Sequence, residues 1–365
     1  MLPRVLALSS STDNGGSQRH AVTLAAAYQA AGGSVQLACA PQSFIEQISH
    51  TASVPTLPFA LRNSGDLRAA LRLARLVRQS RAQVLHSHAR RDFVAATLAG
   101  RLTGCPVALH VHVVRPLGEP HRLAGQFFSQ VAAIIAVSEY TKQELERWHG
   151  LKPGLVRRIY NGVATVLPAP KITPRSPEGK KGNEGERVIG MVGRLSTKGQ
   201  RTFLPSAKRL VAEFPSLRFV FVGPDAPELT YAQFRQDLML HELHNRSTLV
   251  GISDQIPDIL ATLDILVHLP TDEAFGLALV EAAAAGLPVV ATQIGGCQEV
   301  VCEGQTGFLI PLGDDTLLQT RLHQLLADPS LRQRLGQAGQ QRAQREFSAE
   351  RQLADLCAIY EEIAR

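Results

Sequence analysis

Residues 273–281 have the sequence EAFGLALVE, in which two carboxylates flank the start of a predicted helix. Glu273 lies in the loop before that helix, beside free backbone amides at the helix N-terminus. These amides belong to Phe275, Gly276 and Leu277. A carboxylate next to free amides can accept hydroxyl groups of a ligand while the amides hold its phosphate. The segment therefore predicts a binding site for a phosphorylated polyhydroxy compound.

Glu281, the second carboxylate, is expected on the second turn of the same helix. It is followed by the apolar run AAAAG at residues 282–286. An acid embedded in such a stretch needs a polar partner, and a pair of ligand hydroxyls, such as a ribose diol, would supply one. The alternative is that both acids only stabilise the helix N-terminus. That explains Glu273 but does not explain Glu281.

Two cations occupy residues 193–199, GRLSTKG, directly after a predicted strand and before a predicted helix. Arg194 and Lys198 would grip a phosphate there together with helix amides. The alternative is a solvated basic turn. The position at the carboxyl end of a strand favours the phosphate interpretation.

Glycine pairs mark two further strand-to-helix loops. Gly15 and Gly16 follow the first predicted strand, and the sequence IGGCQE occupies residues 294–299. Adjacent glycines allow close approach of a ligand to the backbone, although a plain tight turn remains the alternative at both places. Neither loop has the G-x-G-x-x-G pattern, so nicotinamide-cofactor binding is not indicated.

Four histidines close two predicted strands: His86, His88, His110 and His112. No acid joins them in a metal-ligand spacing, which favours hydrogen-bonding residues over a metal site. At least one of them, His112, is expected to face a cleft and bind substrate.

Strands and helices alternate along both halves of the chain. Strands are predicted over 4–8, 35–38, 84–86, 107–110, 133–137 and 156–160, then over 188–192, 219–222, 248–250, 265–268, 289–292 and 308–310. Helices are predicted over 16–31, 66–79, 91–102 and 139–148, then over 199–213, 233–243, 255–261, 276–285 and 314–326. Such alternation is typical of an α/β protein with parallel sheets.

The length of 365 residues fits two domains. Residues 168–186 are rich in Pro, Gly and charge and are predicted to be a linker. It would join a Rossmann-like domain over 1–167 to a second over 187–346, with the two domains facing a cleft. An amphipathic helix within 347–365 is expected to pack back on the first domain.

The net charge of +6 and the isoelectric point near 9.2 favour an anionic partner. Aromatic residues make up only 5% of the chain and no nucleic-acid motif is present, which argues against nucleic acid as that partner. The five cysteines form no CxxC pair and are expected to be reduced thiols. No apolar run is long enough to span a bilayer, so a cytoplasmic protein is expected.

Taken in order, these segments resemble glycosyltransferase family 4, the retaining enzymes of GT-B fold, over nearly the whole chain. Matching segments are Gly15-Gly16, 86–88, 106–112, 137–139, 160–163, 193–199, 273–281, 286–290, 295–299 and 304–309. Residues 222–226, VGPDA, depart from the family's frequent Gly-x-Gly, one residue is missing before Glu273, and His110 stands where Thr is more common. These departures concern nucleobase contacts and sugar identity.

The resemblance implies a role for each candidate residue of the second domain. Arg194 and Lys198 would bind the diphosphate of a nucleotide-sugar donor and help the nucleotide to leave, and Glu281 would bind the ribose. Glu273 would hold the transferred sugar. Backbone groups that contact the same sugar would be those of Ala274, Phe275, Gly276 and Leu277.

In the first domain, the resemblance implies that Gly15 and Gly16 approach the diphosphate and that His112 lies by the sugar. Retention of configuration without an enzymic nucleophile implies that the nucleotide leaves and the acceptor attacks on the same face of the sugar. The donor phosphate would then take the acceptor's proton. No Asp-x-Asp motif accompanies the donor segments, so neither a metal nor another cofactor is expected. A nucleotide-sugar epimerase and a non-catalytic nucleotide-sugar binder remain the alternatives.

Arginines recur at helical spacing in residues 67–78, LRAALRLARLVR, at Arg68, Arg72, Arg75 and Arg78. A basic amphipathic helix can lie on anionic lipid, whereas an ordinary surface helix is the alternative. The basic loop over 115–122 adds cations. The hypothesis is transient docking on the inner face of the cytoplasmic membrane, to glycosylate a lipid-linked or envelope glycan.

Overall fold

The computed structural model describes residues 1–12, 15–113, 125, 127–152, 154–163 and 186–365. The chain divides into two units, which we call the first unit (Met1–Gly162 with Ala349–Arg365) and the second unit (Val163–Ser348). The predicted linker, apart from Glu186, and the basic loop over 115–122 lie outside the described residues. Each unit is built around its own parallel sheet.

The sheet of the first unit has seven strands among the described residues, in the order β3-β2-β1-β4-β5-β6-β7. They are β1 (Val5–Ser9), β2 (Val35–Cys39), β3 (Thr56–Pro58), β4 (Val84–Ser87), β5 (Val107–Val111), β6 (Ala133–Ala136) and β7 (Val156–Arg158). Every residue of β1, β4, β5 and β6 is buried. Continuous apolar strands of this kind belong to a parallel sheet that is covered on both faces.

Helices cover both faces of this sheet. They are Gly16–Ala30, Phe44–Thr51, Leu67–Ser80, Phe93–Thr103, Glu139–His149 and Ala349–Ile363, with a short 3-10 turn at Arg90–Asp92. One apolar core holds the inner side chains of helices Leu67–Ser80 and Phe93–Thr103. The other holds those of helices Gly16–Ala30 and Ala349–Ile363, so the end of the chain is part of the first unit.

The sheet of the second unit has six strands among the described residues, in the order β10-β9-β8-β11-β12-β13. They are β8 (Arg187–Val192), β9 (Leu217–Val222), β10 (Ser247–Gly251), β11 (Ile265–His268), β12 (Val289–Thr292) and β13 (Gly307–Ile310). The helices are Gln200–Glu213, Tyr231–Leu240, Ile256–Ala261, Leu277–Ala284, Cys297–Val300, Asp315–Ala327 and Pro329–Glu346, with a 3-10 turn at His244–Arg246. The α/β class with two parallel sheets is therefore confirmed.

One strand and two helices were not predicted from the sequence, and several predicted boundaries differ from the observed ones by a few residues. Strand β3 has only three residues and ends in a proline at the sheet edge, and helix Phe44–Thr51 is short. Helix Pro329–Glu346 was missed because Gly336, Gly339 and Ala343 are among its few buried residues, so it lacks a stripe of large apolar side chains. The helix predicted over 233–243 begins at Tyr231, because Thr230 and Gln233 form a capping box.

Both sheets have a topological switch point, where the chain leaves on opposite sides of neighbouring strands. It lies between β1 and β4 in the first unit and between β8 and β11 in the second. Sheets of this type bind ligands beyond the carboxyl ends of the strands at that point. Among the described residues, no helix is long and apolar enough to cross a membrane.

Candidate active site

Three side chains meet at the carboxyl end of β8 and β11 in the second unit. Lys198 Nζ lies 2.7 Å from Glu273 Oε2, and His268 Nε2 lies 2.9 Å from the same oxygen. Their side chains are 22%, 13% and 1% exposed for Lys198, Glu273 and His268 respectively. We call this set the Lys–Glu–His cluster. It brings together two of the residues that the sequence predicts for catalysis, Lys198 and Glu273.

The backbone around Gly199 explains why Lys198 reaches the end of β11. Gly199 has a left-handed φ of +76°, and a Cβ on it would lie 2.5 Å from Cβ of Leu269. The amide of Leu269 donates to the carbonyl of Lys198 at 3.1 Å. Only glycine permits this close contact between the loop over 193–199 and the residue that follows β11.

Glu273 is held as a carboxylate by its two partners. Burial alone would raise its pKa, but the hydrogen bond from His268 and the charge of Lys198 outweigh burial and lower the pKa from 4.5 to about 2. Glu273 is consequently ionised at neutral pH. It can accept hydrogen bonds and attract positive charge, but it cannot serve as a proton donor.

His268 is a site residue for which the sequence analysis predicts no role. Burial lowers its pKa, and Glu273 offsets that effect only in part, so the ring is neutral and its Nε2–H donates to the carboxylate. It is the last residue of β11. That position, at the carboxyl end of a strand next to the switch point, was the available signal.

The glycine pair over 295–296 packs directly against the acidic segment. The amide of Gly296 donates to the carbonyl of Glu273 at 2.9 Å, and a Cβ on Gly296 would lie 2.5 Å from the carbonyl oxygen of Ala274. Cys297 is buried next to it, and burial and the charge of Glu273 raise the pKa of its thiol. This glycine pair therefore holds the backbone of Glu273 and Ala274 in position.

Helix Leu277–Ala284 begins where the sequence places it. Gly276 is its N-cap with φ +95°, and the side chain of Phe275 is buried against the ring of Phe347, with centroids 5.7 Å apart. The amides of Gly276 and Leu277 donate to no other group of the described residues. Glu281 is half-buried on the side of the helix that also carries Leu277. The helix N-terminus thus offers amides next to the Lys–Glu–His cluster.

Arg194 lies on the same loop as Lys198 but is exposed and has no ion-pair partner among the described residues. Its backbone carbonyl accepts hydrogen bonds from the hydroxyl of Thr197 at 3.0 Å and from the side-chain Nε2 of Gln200 at 3.2 Å, which fix the backbone of the loop. The guanidinium can therefore reach an incoming anion without breaking an existing pair.

In the first unit, the predicted site residues surround the switch point between β1 and β4. Gly16 begins the first helix and Gly15 is its N-cap, and a Cβ on Gly16 would have no atom of the described residues within 4 Å. Asp13 and Asn14 of the same loop lie outside the described residues. His112 is half-buried directly after β5, and its ring stacks on His110 with centroids 4.2 Å apart.

The histidines near this point are buried or, at His112, half-buried, and their rings are uncharged. Burial lowers the pKa of His88 to about 3 and that of His20 to about 4. Burial, together with the neighbouring rings, lowers the pKa of His86, His110 and His112 well below 6.5. A neutral ring can accept or donate a hydrogen bond, but such rings are weak bases.

Two family matches cover most of the chain. Residues 14–167 match Glycosyltransferase Family 4, and residues 173–342 match Glycosyl transferases group 1. The alpha-maltose-1-phosphate synthase of Mycobacterium tuberculosis is 31% identical over 296 residues, which are 74% of this chain and 76% of that protein. The chain belongs to the group 1 glycosyltransferases. It is accordingly an enzyme, as the sequence analysis predicts.

A second relative and a solved structure agree with this assignment. The N-acetyl-alpha-D-glucosaminyl L-malate synthase of Bacillus anthracis is 24% identical over 309 residues, or 82% of this chain and 80% of that protein. The Anabaena protein HepE, solved in complex with UDP and glucose, superposes with a TM-score of 0.86 at 21% identity and covers 99% of this chain and 100% of its own. The likeness to HepE confirms the GT-B fold.

Proposed function

We propose that this glycosyltransferase transfers a sugar from a nucleotide-sugar donor, with retention of configuration and without a metal. The observation that carries the proposal is the partly buried Lys198–Glu273 pair beside the N-terminus of helix Leu277–Ala284. A cation, a carboxylate and backbone amides meet at one switch point. That combination suits a ligand with a diphosphate and sugar hydroxyls.

The residues take the following roles in this proposal. Arg194 and Lys198 bind the donor diphosphate, and their charge stabilises the nucleotide as it leaves. Glu273 accepts hydroxyls of the transferred sugar, and Glu281 accepts those of the ribose. The UDP and glucose bound by HepE support a uridine or related nucleotide as the carrier.

The charged groups of this site are the basis for proposing both retention and metal independence. Glu273 is already engaged by Lys198 and His268, so it is poorly placed to form a covalent bond to the sugar. Front-face attack needs no such bond. Two cations and helix amides supply the positive charge that a metal would otherwise bring to the leaving diphosphate.

Donor titration and turnover test the function together. We expect Lys198→Ala to lower kcat/KM about 100- to 1,000-fold, as does loss of one transition-state donor elsewhere. The pair Lys208–Glu242 is a matched control, because it is another lysine–glutamate contact of the second unit, at 3.2 Å, but exposed. Transfer that survives Lys198→Ala and Glu273→Ala, at the level of Lys208→Ala, would place the reaction elsewhere. An inverted anomer in the product NMR spectrum would refute retention.

We further propose that the acceptor is a lipid-linked or envelope glycan, reached while the protein is docked on anionic lipid. Helix Leu67–Ser80 supports docking, since Leu67 and Leu71 are 65% and 54% exposed beside the arginines. Arg72 is tied to the carbonyl of Ala60 at 2.8 Å, whereas Arg68 and Arg75 are exposed.

Vesicle flotation tests the docking proposal. Anionic vesicles at low salt should carry the protein and zwitterionic ones should not. The double variant Arg68→Glu/Arg75→Glu should lose binding, whereas Arg235→Glu/Arg334→Glu, with the same charge change on exposed residues of the second unit, should keep most of it. An acceptor panel of undecaprenyl-type lipid glycans, a hydroxy acid and a sugar phosphate then tests the acceptor class. Transfer to a small acceptor alone would contradict it.

A further inference from the structure

Five histidines of the first unit form one cluster around the ends of β4 and β5: His20, His86, His88, His110 and His112. Adjacent rings lie with centroids between 4.0 and 5.9 Å apart. Three of them, His86, His88 and His110, are at most 5% exposed. We call these three the histidine triad. A concentration of buried imidazoles is unusual, because each buried nitrogen needs a partner.

The nitrogens of the triad have few partners. His86 Nε2, His88 Nδ1 and both ring nitrogens of His110 are buried and have no hydrogen-bond partner among the described residues. Leaving such groups unpaired costs about 1–3 kcal/mol each. Several orphaned nitrogens at one point therefore indicate a ligand that binds lone pairs.

We propose that the histidine triad binds one divalent transition-metal ion of the zinc class, at a site separate from the donor site of the second unit. Each residue offers one ring nitrogen, and these nitrogens lie within 4.8 Å of one another. Tetrahedral zinc with bonds near 2.1 Å needs ligand nitrogens about 3.4 Å apart. Small tilts of the rings would close that difference.

The sheet explains why the triad shares one face. His86 pairs with Ala108 and Ser87 with Leu109 in the parallel register of β4 and β5. Side chains two residues apart along a strand point to the same face, so His86 and His88 lie on the face that also carries His110. Strand β4 with the residue that follows it, and strand β5, thus present the three rings.

Tyr360 provides the outer contact that such a site requires. Its hydroxyl lies 2.5 Å from His86 Nδ1, which leaves Nε2 of that ring for an ion. Metal-bound histidines commonly use their second nitrogen in this way, because the contact fixes the tautomer and orientation. A small cavity of about 10 Å³ lies against His86, His88 and Tyr360.

The composition of the triad selects the ion. It contains three neutral imidazoles and no carboxylate, a set that suits zinc, copper or nickel and does not suit magnesium or calcium. Three protein ligands leave a fourth position for water. The ion would tie β4 and β5 to the final helix through Tyr360. The triad lies in the first unit and the Lys–Glu–His cluster in the second, and metal binding is measured without turnover, so the two proposals can fail separately.

Metal titration of the tag-free, full-length chain, after removal of metal by a chelator, tests the site. We expect one equivalent of Co²⁺ to give a tetrahedral visible absorption band, and Zn²⁺ but not Mg²⁺ to displace it. His110→Ala should weaken binding at least 100-fold, and Tyr360→Phe about 10- to 100-fold. His244→Ala removes an exposed histidine of the second unit and should leave binding unchanged.

The wild-type titration alone can overturn the proposal, whether or not His110→Ala folds. Absence of saturable binding tighter than about 1 mM would do so. Equal affinity in Tyr360→Phe, His110→Ala and the wild type would also contradict it. So would a thiolate charge-transfer band, because it would assign the ion to the half-buried Cys302 or Cys357.

Discussion

Replacing Lys198 with methionine should destabilise the second unit by about 2–3 kcal/mol at pH 7. The lowering of the Glu273 pKa from 4.5 to about 2 corresponds to about 3 kcal/mol in favour of the carboxylate, at about 1.4 kcal/mol per pH unit. This is the net result of burial, which raises the pKa, and of His268 and Lys198, which both lower it. Without Lys198, only the neutral hydrogen bond from His268 opposes burial of that charge. Removing one partner of a fully buried ion pair typically costs about 3–5 kcal/mol. The side chain of Lys198 is 22% exposed, so the expected cost lies at or below the lower end of that range.

Glu273→Gln supplies the third corner of a double-mutant cycle. Glutamine keeps an acceptor for His268 but carries no charge, so Lys198→Met should cost far less in its presence. We expect a coupling energy of about 2 kcal/mol. Urea denaturation followed by circular dichroism measures it. The single tryptophan, Trp148, lies in the first unit, so its fluorescence reports separately on that unit. A cost below about 1 kcal/mol, or additive effects in the double variant, would refute the reasoning.

The same pair predicts a pH dependence of stability. The folded-state pKa of Glu273 lies below its ordinary value, so the stabilisation is fully present above pH 4.5 and is lost as pH falls from 4.5 to about 2. In Glu273→Gln this acid-dependent loss should be absent. Denaturation midpoints of the two proteins should therefore converge on acidification, and curves that stay parallel from pH 5 to pH 2.5 would contradict the assignment.

Three further predictions concern the two carboxylates, the glycine that packs against Ala274 and the metal requirement. Glu273→Ala should chiefly lower kcat, whereas Glu281→Ala should chiefly raise the Kd of the donor; stopped-flow titration and steady-state kinetics would expose the reverse pattern. Gly296→Ala should lower kcat at least 10-fold, because its Cβ would displace the backbone of Ala274, whereas Gly304→Ala meets open space and costs only local strain. Transfer should persist in excess EDTA, and a loss restored by Mg²⁺ or Mn²⁺ would overturn metal independence.

Periodicity and segment order were enough to predict the α/β class and most strands within two residues. β11 and β12 were predicted to the residue, because each is a short apolar run with turn residues on both sides. Helix Pro329–Glu346 was not predicted because small residues replace large apolar ones on its inner face. Local pattern also cannot reveal contacts between distant segments. It placed Lys198 and Glu273 in separate loops, and only the order β8-β11 brings them to 2.7 Å.

Because local pattern does not reveal contacts between distant segments, the sequence predicted neither a role for His268 nor a metal site at the histidine triad. A histidine at the end of a strand has no characteristic spacing, so its partner must be known first. The carboxylate that receives the Nε2–H of His268 follows in the next loop. The triad draws ligands from two strands whose register the sequence does not encode. Metal-ligand spacing rules apply to single loops and helices, so they give no signal here.

The charge states of the candidate residues restrict how the acceptor's proton can leave. Glu273 is ionised with a pKa near 2, so it is far too weak a base to hold a proton at neutral pH. Burial lowers the pKa of His112 well below 6.5, so the neutral ring can take a hydrogen bond but retains a proton poorly. Neither group suits the acid–base pair that an epimerase needs. The departing phosphate, held by Arg194 and Lys198, then remains as the base in the proposed front-face transfer.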